Sequence, residues 1–317
     1  MSFLIPDIFI QIIQYAVLTF FLCISLFISI RVISRWDFSS TSEKQYLLEK
    51  QTYLVSVLMK YAFAVNIPAF LIFIYANDKL SAYLTGAMCA AGVLNATIYG
   101  KYLIIFKIIN LYLSAVWLTV NHFDNRSETM PYTSVKFRMI PLLFATFCIE
   151  GTLFILHFAS IDPAVPVSCC NVIFADDTSA IRTFFSTYAT QLFAAAFILV
   201  AVAYLMKRTV IFGAANVIYA VAAIAVLIYG VSPYVYELPT HKCPFCILQG
   251  GYGYIGYAFY ITLFGGTAIG ISAGIQTLLS GTEPKKMTKI SMVLNCAYLL
   301  LCSWYPAAYY ITNRTWL

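Results

Sequence analysis

The sequence predicts an all-α protein, a polytopic transmembrane helix bundle of about eight spans that forms one integral membrane domain over residues 1–317. Hydrophobic residues make up 62% of the chain and charged residues only 10%, whereas soluble domains are about a quarter charged. Apolar runs of roughly 20 residues, the length that crosses a bilayer, recur along the chain. Polar or Pro/Gly segments separate these runs. Each run is therefore expected to be a membrane-spanning helix.

The spans can be placed in chain order. The first apolar run is longer than a signal-peptide core, follows no basic segment and precedes no A-x-A-like cleavage site, so we expect a retained helix. Lys207-Arg208 forms a short bend between two spans, and the small residues of segment 80–100 predict a membrane-surface or re-entrant stretch. The predicted spans are 8–30, 52–76, 102–121, 139–160, 184–205, 209–231, 253–279 and 290–311.

Basic residues predict the orientation of the spans. Twelve Lys and Arg residues fall in alternate connections: four in 31–50, three in 122–138, two in 207–208 and three in 280–289. The opposite loops and the C-terminal tail hold five. Because cytoplasmic loops carry the excess of Lys and Arg, both termini are expected on the outer side, in the periplasm of a bacterial inner membrane. The net charge of +6 is spread over short loops, so no nucleic-acid binding is expected.

The nine cysteines divide by their predicted position in the membrane. Those inside spans are expected to be packing residues, while those at the outer face lie in the compartment where disulfides persist. Five outer cysteines cannot all pair within one chain, so one thiol is left free, coordinates a ligand or attacks a partner protein. The outer group is Cys89, Cys169, Cys170, Cys243 and Cys246, and the span group is Cys23, Cys148, Cys296 and Cys302.

The sharpest motif is Cys243-Pro244-Phe245-Cys246, just before the seventh predicted span. Two thiols in this spacing can close a disulfide when the first lies at a helix N-terminus, where Pro244 fits the first turn. The positive helix end, Lys242 and His241 are expected to favour the thiolate form of Cys243. The same spacing also suits a soft metal ion or a static structural disulfide.

The adjacent Cys169-Cys170 pair lies in the predicted outer loop 161–182. Neighbouring cysteines rarely bond to each other, because the small ring strains the peptide between them. They are expected to bond to distant partners or to bind a thiophilic ion together, and a purely structural bridge is the alternative. Cys89 is a candidate partner for one of them.

With its separate loop cysteines, the Cys243-Pro244-Phe245-Cys246 motif resembles the vitamin K epoxide reductase and disulfide-bond-forming protein B group. In those helical membrane enzymes a helix-end pair passes electrons to a quinone, and loop cysteines exchange disulfides with a thioredoxin-like protein. The resemblance covers residues 233–260 and implies that Cys243 and Cys246 are the quinone-side pair. It implies shuttle roles for Cys89, Cys169 and Cys170.

Two features depart from that group. Its cores have four or five helices, fewer than the spans expected for this chain. The adjacent Cys169-Cys170 pair instead resembles the paired cysteines of mercury-transport membrane proteins.

Ionisable residues inside the spans form a second candidate site. Glu150 lies near the middle of the fourth span, and an acid at that depth marks function by default. Lys60 or Lys107 can pair with it, and an inert ion pair that fixes packing is the alternative. His157 lies two turns further along the same helix face. Glu150 and His157 together are predicted to form a proton path, although a helix–helix hydrogen bond would also explain the histidine.

A Gly- and Tyr-rich segment follows the cysteine motif, from Gln249 to Tyr257. Glycines permit close approach and tyrosines suit a flat aromatic ligand, so His241, Gln249 and Tyr252 are candidate quinone-binding residues. An aromatic belt at the membrane interface is the alternative.

Three function classes follow from these patterns. The first is a membrane thiol–disulfide oxidoreductase that passes electrons between a periplasmic thioredoxin-like thiol partner and a membrane quinone. The second is a permease for a soft metal ion or thiol compound, with cysteines as capture ligands. The third is a structural subunit of a membrane complex, whose cysteines only connect its loops. All three place the chain in contact with membrane lipid.

Overall fold

A computed structural model describes residues 6–37, 42–127, 129–168 and 180–317, apart from the Ile181 side chain. These residues form helices and turns and contain no strand, as the composition predicts. By length and composition, eight of the helical segments can cross a membrane. The chain is therefore a multi-pass helical membrane protein.

The helices agree with the predicted spans and extend a few residues beyond most of them. The sixth span is interrupted, because a π-helical segment (Leu227–Val231) separates two α-helices. Segment 80–100 contains the end of one long helix and a short helix whose residues are mostly buried. The helices are α1 (Pro6–Arg35), α2 (Glu43–Ser81), α3 (Ala90–Asn95), α4 (Ile98–Asp124), α5 (Thr133–Ala159), α6 (Ala180–Leu205), α7 (Thr209–Val226), α8 (Ser232–Tyr236), α9 (Ile255–Ser280) and α10 (Lys285–Asn313).

The chain packs into two compact units. The first comprises Met1–Ala76 and Ala96–Asp162, and the second comprises Asn77–Asn95 and Pro163–Leu317. The cysteine motif belongs to the second unit, and Glu150 belongs to the first.

The first unit is built from α1, α2, α4 and α5. Helices α1 and α5 are antiparallel, because Tyr15 contacts Glu150 while Ser29, further along α1, donates a hydrogen bond to the earlier Phe137 carbonyl at 2.5 Å. Its apolar core includes Leu22, Val55, Phe63, Trp117 and Phe147. These residues fill the part of the first unit that surrounds the C-terminal half of α4.

The second unit packs α7 between α6 and α9, with α10 against α9. Glycines bring α7 and α9 close together: a Cβ added to Gly213 would lie 2.7 Å from the Gly274 Cα. Small residues at such contacts are typical of membrane helix interfaces. Nearby, Asn295 donates a hydrogen bond to Asn216 at 2.9 Å, which links α10 to α7.

Candidate functional site

The Cys-X-X-Cys motif lies in the connection between α8 and α9. Cys246 begins a 3-10 turn (Cys246–Leu248), and α9 begins only at Ile255. The prediction that Cys243 stands at a helix N-terminus, with Pro244 in the first helical turn, is therefore wrong.

The glycine-rich sequence explains the late start of α9. A second 3-10 turn covers Gly250–Tyr252, and Gly253 and Tyr254 both have left-handed backbone angles, with φ of 63° and 56°. That conformation is incompatible with a continuing right-handed helix. Cys243 therefore does not itself stand at the start of α9, and Lys242 and His241 remain its basic sequence neighbours.

Three cysteines converge in the second unit. The Cys89 Sγ lies 3.5 Å from the Cys243 Sγ, and the sulfur atoms of Cys89, Cys243 and Cys246 all lie within 4.8 Å of one another. Their side chains are 0%, 0% and 3% exposed. A disulfide requires about 2.05 Å between sulfurs, so Cys89 and Cys243 are in contact without being bonded to each other. We call these residues the thiol cluster.

Two buried tyrosines hold the chain that carries Cys243. The Tyr236 hydroxyl, at the end of α8, donates a hydrogen bond to the Cys243 carbonyl at 2.5 Å. The Tyr260 hydroxyl, in the first turns of α9, donates one to the Pro244 carbonyl at 3.0 Å. Helices on both sides of the connection therefore fix its position.

Aromatic and basic residues surround this connection. The His241 ring stacks on the Tyr236 ring, with centroids 4.0 Å apart. The Tyr252 ring meets the Tyr236 ring edge-on, with centroids 4.7 Å apart. The Lys242 Nζ lies 5.8 Å from the Tyr229 ring centroid, within cation–π range. Two of the three predicted quinone-binding residues, His241 and Tyr252, thus lie beside the tyrosine that holds Cys243.

Gln249, the third predicted quinone-binding residue, connects two segments that carry cysteines. Its Nε2 donates to the Asp78 Oδ1 at 2.8 Å and to the Met88 carbonyl at 3.0 Å. Met88 directly precedes Cys89, so this amide holds the Cys89 segment next to the Cys246 turn. These contacts give Gln249 a positioning role.

The segment before the adjacent cysteine pair is also anchored near Cys89. The Val167 N–H donates a hydrogen bond to the Thr85 carbonyl at 2.9 Å. Gly86 has a φ of +89°, and a Cβ there would lie 2.2 Å from the Val167 carbonyl oxygen, so glycine is required. Cys169 and Cys170 lie outside the described residues.

The first unit contains the predicted intramembrane acid. Glu150 is 1% exposed, and its Oε1 forms an ion pair with the Lys107 Nζ at 3.0 Å. The Tyr15 hydroxyl donates to the same oxygen, and the Asn110 amide donates to Oε2 at 2.5 Å. Lys60, the other candidate partner, is exposed. Three donors thus converge on one buried carboxylate.

His157 is buried, two turns closer to the C-terminus of α5 on the same helix face. Its Nδ1 hydrogen bonds with the Thr97 hydroxyl at 2.6 Å, whereas its Nε2 has no hydrogen-bond partner among the described residues. The amide of buried Gln11 also lacks one. In the antiparallel packing of α1 and α5, Gln11 and His157 lie on the same side of the ion pair. Buried polar atoms of this kind are usually satisfied by water.

Sequence reasoning missed Tyr15, Asn110, Tyr236 and Tyr260 as parts of these sites. The role of Tyr15 could have been predicted from the sequence, because Gln11, Gln14 and Tyr15 form a polar stripe at helical spacing in an otherwise apolar span. Tyr236 and Tyr260 could not be distinguished by sequence from the other tyrosines of the chain, which contains 24.

Comparison of the chain with protein-family models, with curated proteins and with solved structures found no match.

Proposed function

We propose that this chain is a membrane thiol–disulfide oxidoreductase that passes electrons between a periplasmic thioredoxin-like thiol partner and a membrane quinone. The proposal rests on the convergence of Cys89, Cys243 and Cys246 within 4.8 Å. Three thiols at this separation can form one disulfide and one exchanging thiol, which is the smallest set that supports internal disulfide transfer.

The exchange step uses the sulfur contact between Cys89 and Cys243. A Cys89 thiolate attacks the Cys243 sulfur of a Cys243–Cys246 disulfide, which forms the Cys89–Cys243 bond and releases the Cys246 thiolate. The sulfurs move from 3.5 Å to about 2.05 Å in this step. Because the cluster is buried, a partner protein needs carrier cysteines to reach it, and Cys169 and Cys170 are our candidates for that role.

The overall reaction balances with a quinone as the electron acceptor. The partner's dithiol loses two electrons and two protons and becomes a disulfide, while a disulfide of the thiol cluster is reduced to two thiols. Those thiols then give two electrons and two protons to the quinone. The quinone leaves as a quinol, and the cluster disulfide forms again.

A mostly apolar cavity in the second unit is our candidate quinone site, and its lining includes neither the thiol cluster nor the predicted quinone-binding residues His241, Gln249 and Tyr252. Its volume is about 460 Å³, within the range of small-molecule sites. Phe193, Tyr234 and Trp316 supply aromatic surface and Thr190 a hydroxyl. Gly230 of the π segment also lines it, and π turns often occur at functional sites. The same chain segment continues to Tyr236, which holds Cys243.

The membrane arrangement is part of the proposal. The bias of basic residues supports an outer-facing thiol cluster, both termini outside and a bacterial inner-membrane location. Glu150 and His157 are our candidates for a proton path within the first unit. The partnerless polar atoms of Gln11 and His157 support water there.

A second function is favoured by the same cluster. Three sulfurs within 4.8 Å can bind one soft ion such as Cu(I) in trigonal geometry. The chain would then be a permease for a thiophilic ion, with the cluster as capture site.

Purified protein in lipid nanodiscs can test these functions. Reduced thioredoxin-like protein and a soluble quinone should cycle the Cys243–Cys246 pair, detected by thiol alkylation and mass spectrometry. Cys246→Ser should stop quinol formation, whereas Cys23→Ser, on an exposed position of α1, should leave it unchanged.

Other outcomes exclude the oxidoreductase. Stoichiometric binding of Cu(I) that Cys89→Ser abolishes, without any quinol, would establish the metal function. A Cys243–Cys246 pair that stays oxidised under every reductant, with neither quinol nor bound metal, would leave a structural role for the cysteines.

A further inference from the structure

A cavity of about 420 Å³ lies in the second unit, away from the thiol cluster in sequence. Its wall includes the end of α6, the start of α7 and the start of α10. Lys207, Lys285 and Lys289 line it, together with a single acidic residue, Glu283. None of these three lysines forms an ion pair with a described residue. The cavity therefore has an excess of uncompensated positive charge.

Two helix N-termini add to this positive potential. α7 begins at Thr209 and α10 at Lys285, and both positions line the cavity. Neither helix has a side-chain cap on its first N–H groups, but in α10 the N–H groups of Lys285 and Met287 already donate to the Glu283 and Pro284 carbonyls. Uncapped N–H groups at the start of a long helix bind anions, phosphate in particular.

The side chain of Thr209 independently indicates a ligand. Thr209 is 6% exposed and lines the cavity, yet its side chain forms no hydrogen bond with any described residue. The hydroxyl oxygen is not fully enclosed by protein, so a molecule in the cavity can reach it. A phosphate oxygen in the cavity would supply the missing partner.

The rim of the cavity indicates which phosphate compound binds. Leu205, which lines the cavity, is 76% exposed, and Met206, which separates it from Lys207 in the chain, is 63% exposed. An apolar rim next to cations suits acyl chains beneath a headgroup, and basic pockets at the ends of membrane helices bind anionic lipids. We propose that this cavity binds the phosphate of an anionic phospholipid headgroup. The proposal is independent of the thiol chemistry.

Native mass spectrometry of the purified full-length protein tests this assignment, with phosphatidylglycerol and phosphatidylcholine as probes. One phosphatidylglycerol should bind more tightly than phosphatidylcholine. Lys285→Gln and Lys289→Gln should each weaken phosphatidylglycerol binding about fivefold, and Thr209→Val should weaken it about tenfold. Lys286→Gln changes a neighbouring exposed lysine that does not line the cavity, and affinity should stay within about twofold. Equal thermal unfolding in phosphatidylcholine alone should show that the variants fold.

Two results would overturn the proposal. Equal binding of both lipids, or phosphatidylglycerol affinity that the Lys285, Lys289 and Thr209 variants leave unchanged, would remove the site. Inorganic phosphate that binds as tightly as the lipid and displaces it would assign the cavity to a soluble phosphate instead.

Discussion

Substitution of Lys107 by Met leaves the buried Glu150 carboxylate without its cationic partner. Tyr15 and Asn110 still donate hydrogen bonds to the carboxylate, but no charge compensates it. In the native protein the Lys107 Nζ lies 4.3 Å from the centroid of the Phe73 ring. The Met side chain keeps the length of the lysine stem, so its packing against Phe73 should change little.

The expected loss follows from the ion-pair geometry. At 3.0 Å, two unit charges attract by about 5.5 kcal/mol at an effective dielectric constant of about 20. Loss of one partner from a buried pair typically costs about 3–5 kcal/mol, because the other charge stays buried. Lys107→Met should therefore lower the free energy of unfolding by about 3–5 kcal/mol. The double variant Lys107→Met, Glu150→Gln should recover more than half of this loss, because the carboxamide is neutral and can still accept from Tyr15.

Denaturation of the purified protein in mixed micelles with increasing SDS, followed by circular dichroism, measures these differences. Lys60→Met is the matched control, because Lys60 is exposed on α2, and the change should stay within about 0.5 kcal/mol. A loss below 1 kcal/mol for Lys107→Met, or additive losses in the double variant, would refute the buried ion pair.

Three further predictions concern packing, the cysteine connection and topology. Gly270→Ala should destabilise the second unit by about 1–3 kcal/mol through overpacking, because the new Cβ would lie 2.5 Å from the Asn216 side chain. Gly265→Ala is the control in the same denaturation assay and should be tolerated, because its Cβ would lie 3.5 Å from the nearest atom. Tyr236→Phe removes the hydrogen bond to the motif, so it should cost about 1 kcal/mol and slow quinol formation; unchanged kinetics would show that this bond does not position the thiols. Reporter fusions at Lys207 and at Asp162 should report opposite sides of the membrane, and one side for both would contradict the orientation.

The helices were predictable because a bilayer imposes a local requirement. Each span needs about 20 apolar residues, and this property can be counted along the chain without knowledge of the partners. The late start of α9 was also readable, since Gly250, Gly251 and Gly253 disfavour a helix there. The seventh predicted span, 253–279, accordingly begins close to Ile255, whereas the prediction of a helix N-terminus at Cys243 is wrong, because these glycines separate the cysteine motif from that helix.

The long-range contacts were not predictable in the same way. Cys89 and Cys243 are separated by 154 residues, so their approach depends on how α3 and the α8–α9 connection pack. The choice of Lys107 over Lys60 as the partner of Glu150 likewise depends on which face of each helix is buried. A single sequence gives similar depths for both lysines and does not distinguish their faces.

The π segment between α7 and α8 fixes the rotational phase of the residues that follow it. Each residue of an α-helix advances the chain by about 100°, and a π turn contains one residue more than an α turn. The π turn therefore absorbs one residue, and Tyr236 keeps the position from which it donates to the Cys243 carbonyl. If the same five residues adopted α-helical geometry, Tyr236 would rotate by about 100°, away from that carbonyl. A descendant that loses the extra residue together with the π turn keeps Tyr236 in place, whereas one that keeps the residue in an α-helix must acquire another donor to hold Cys243.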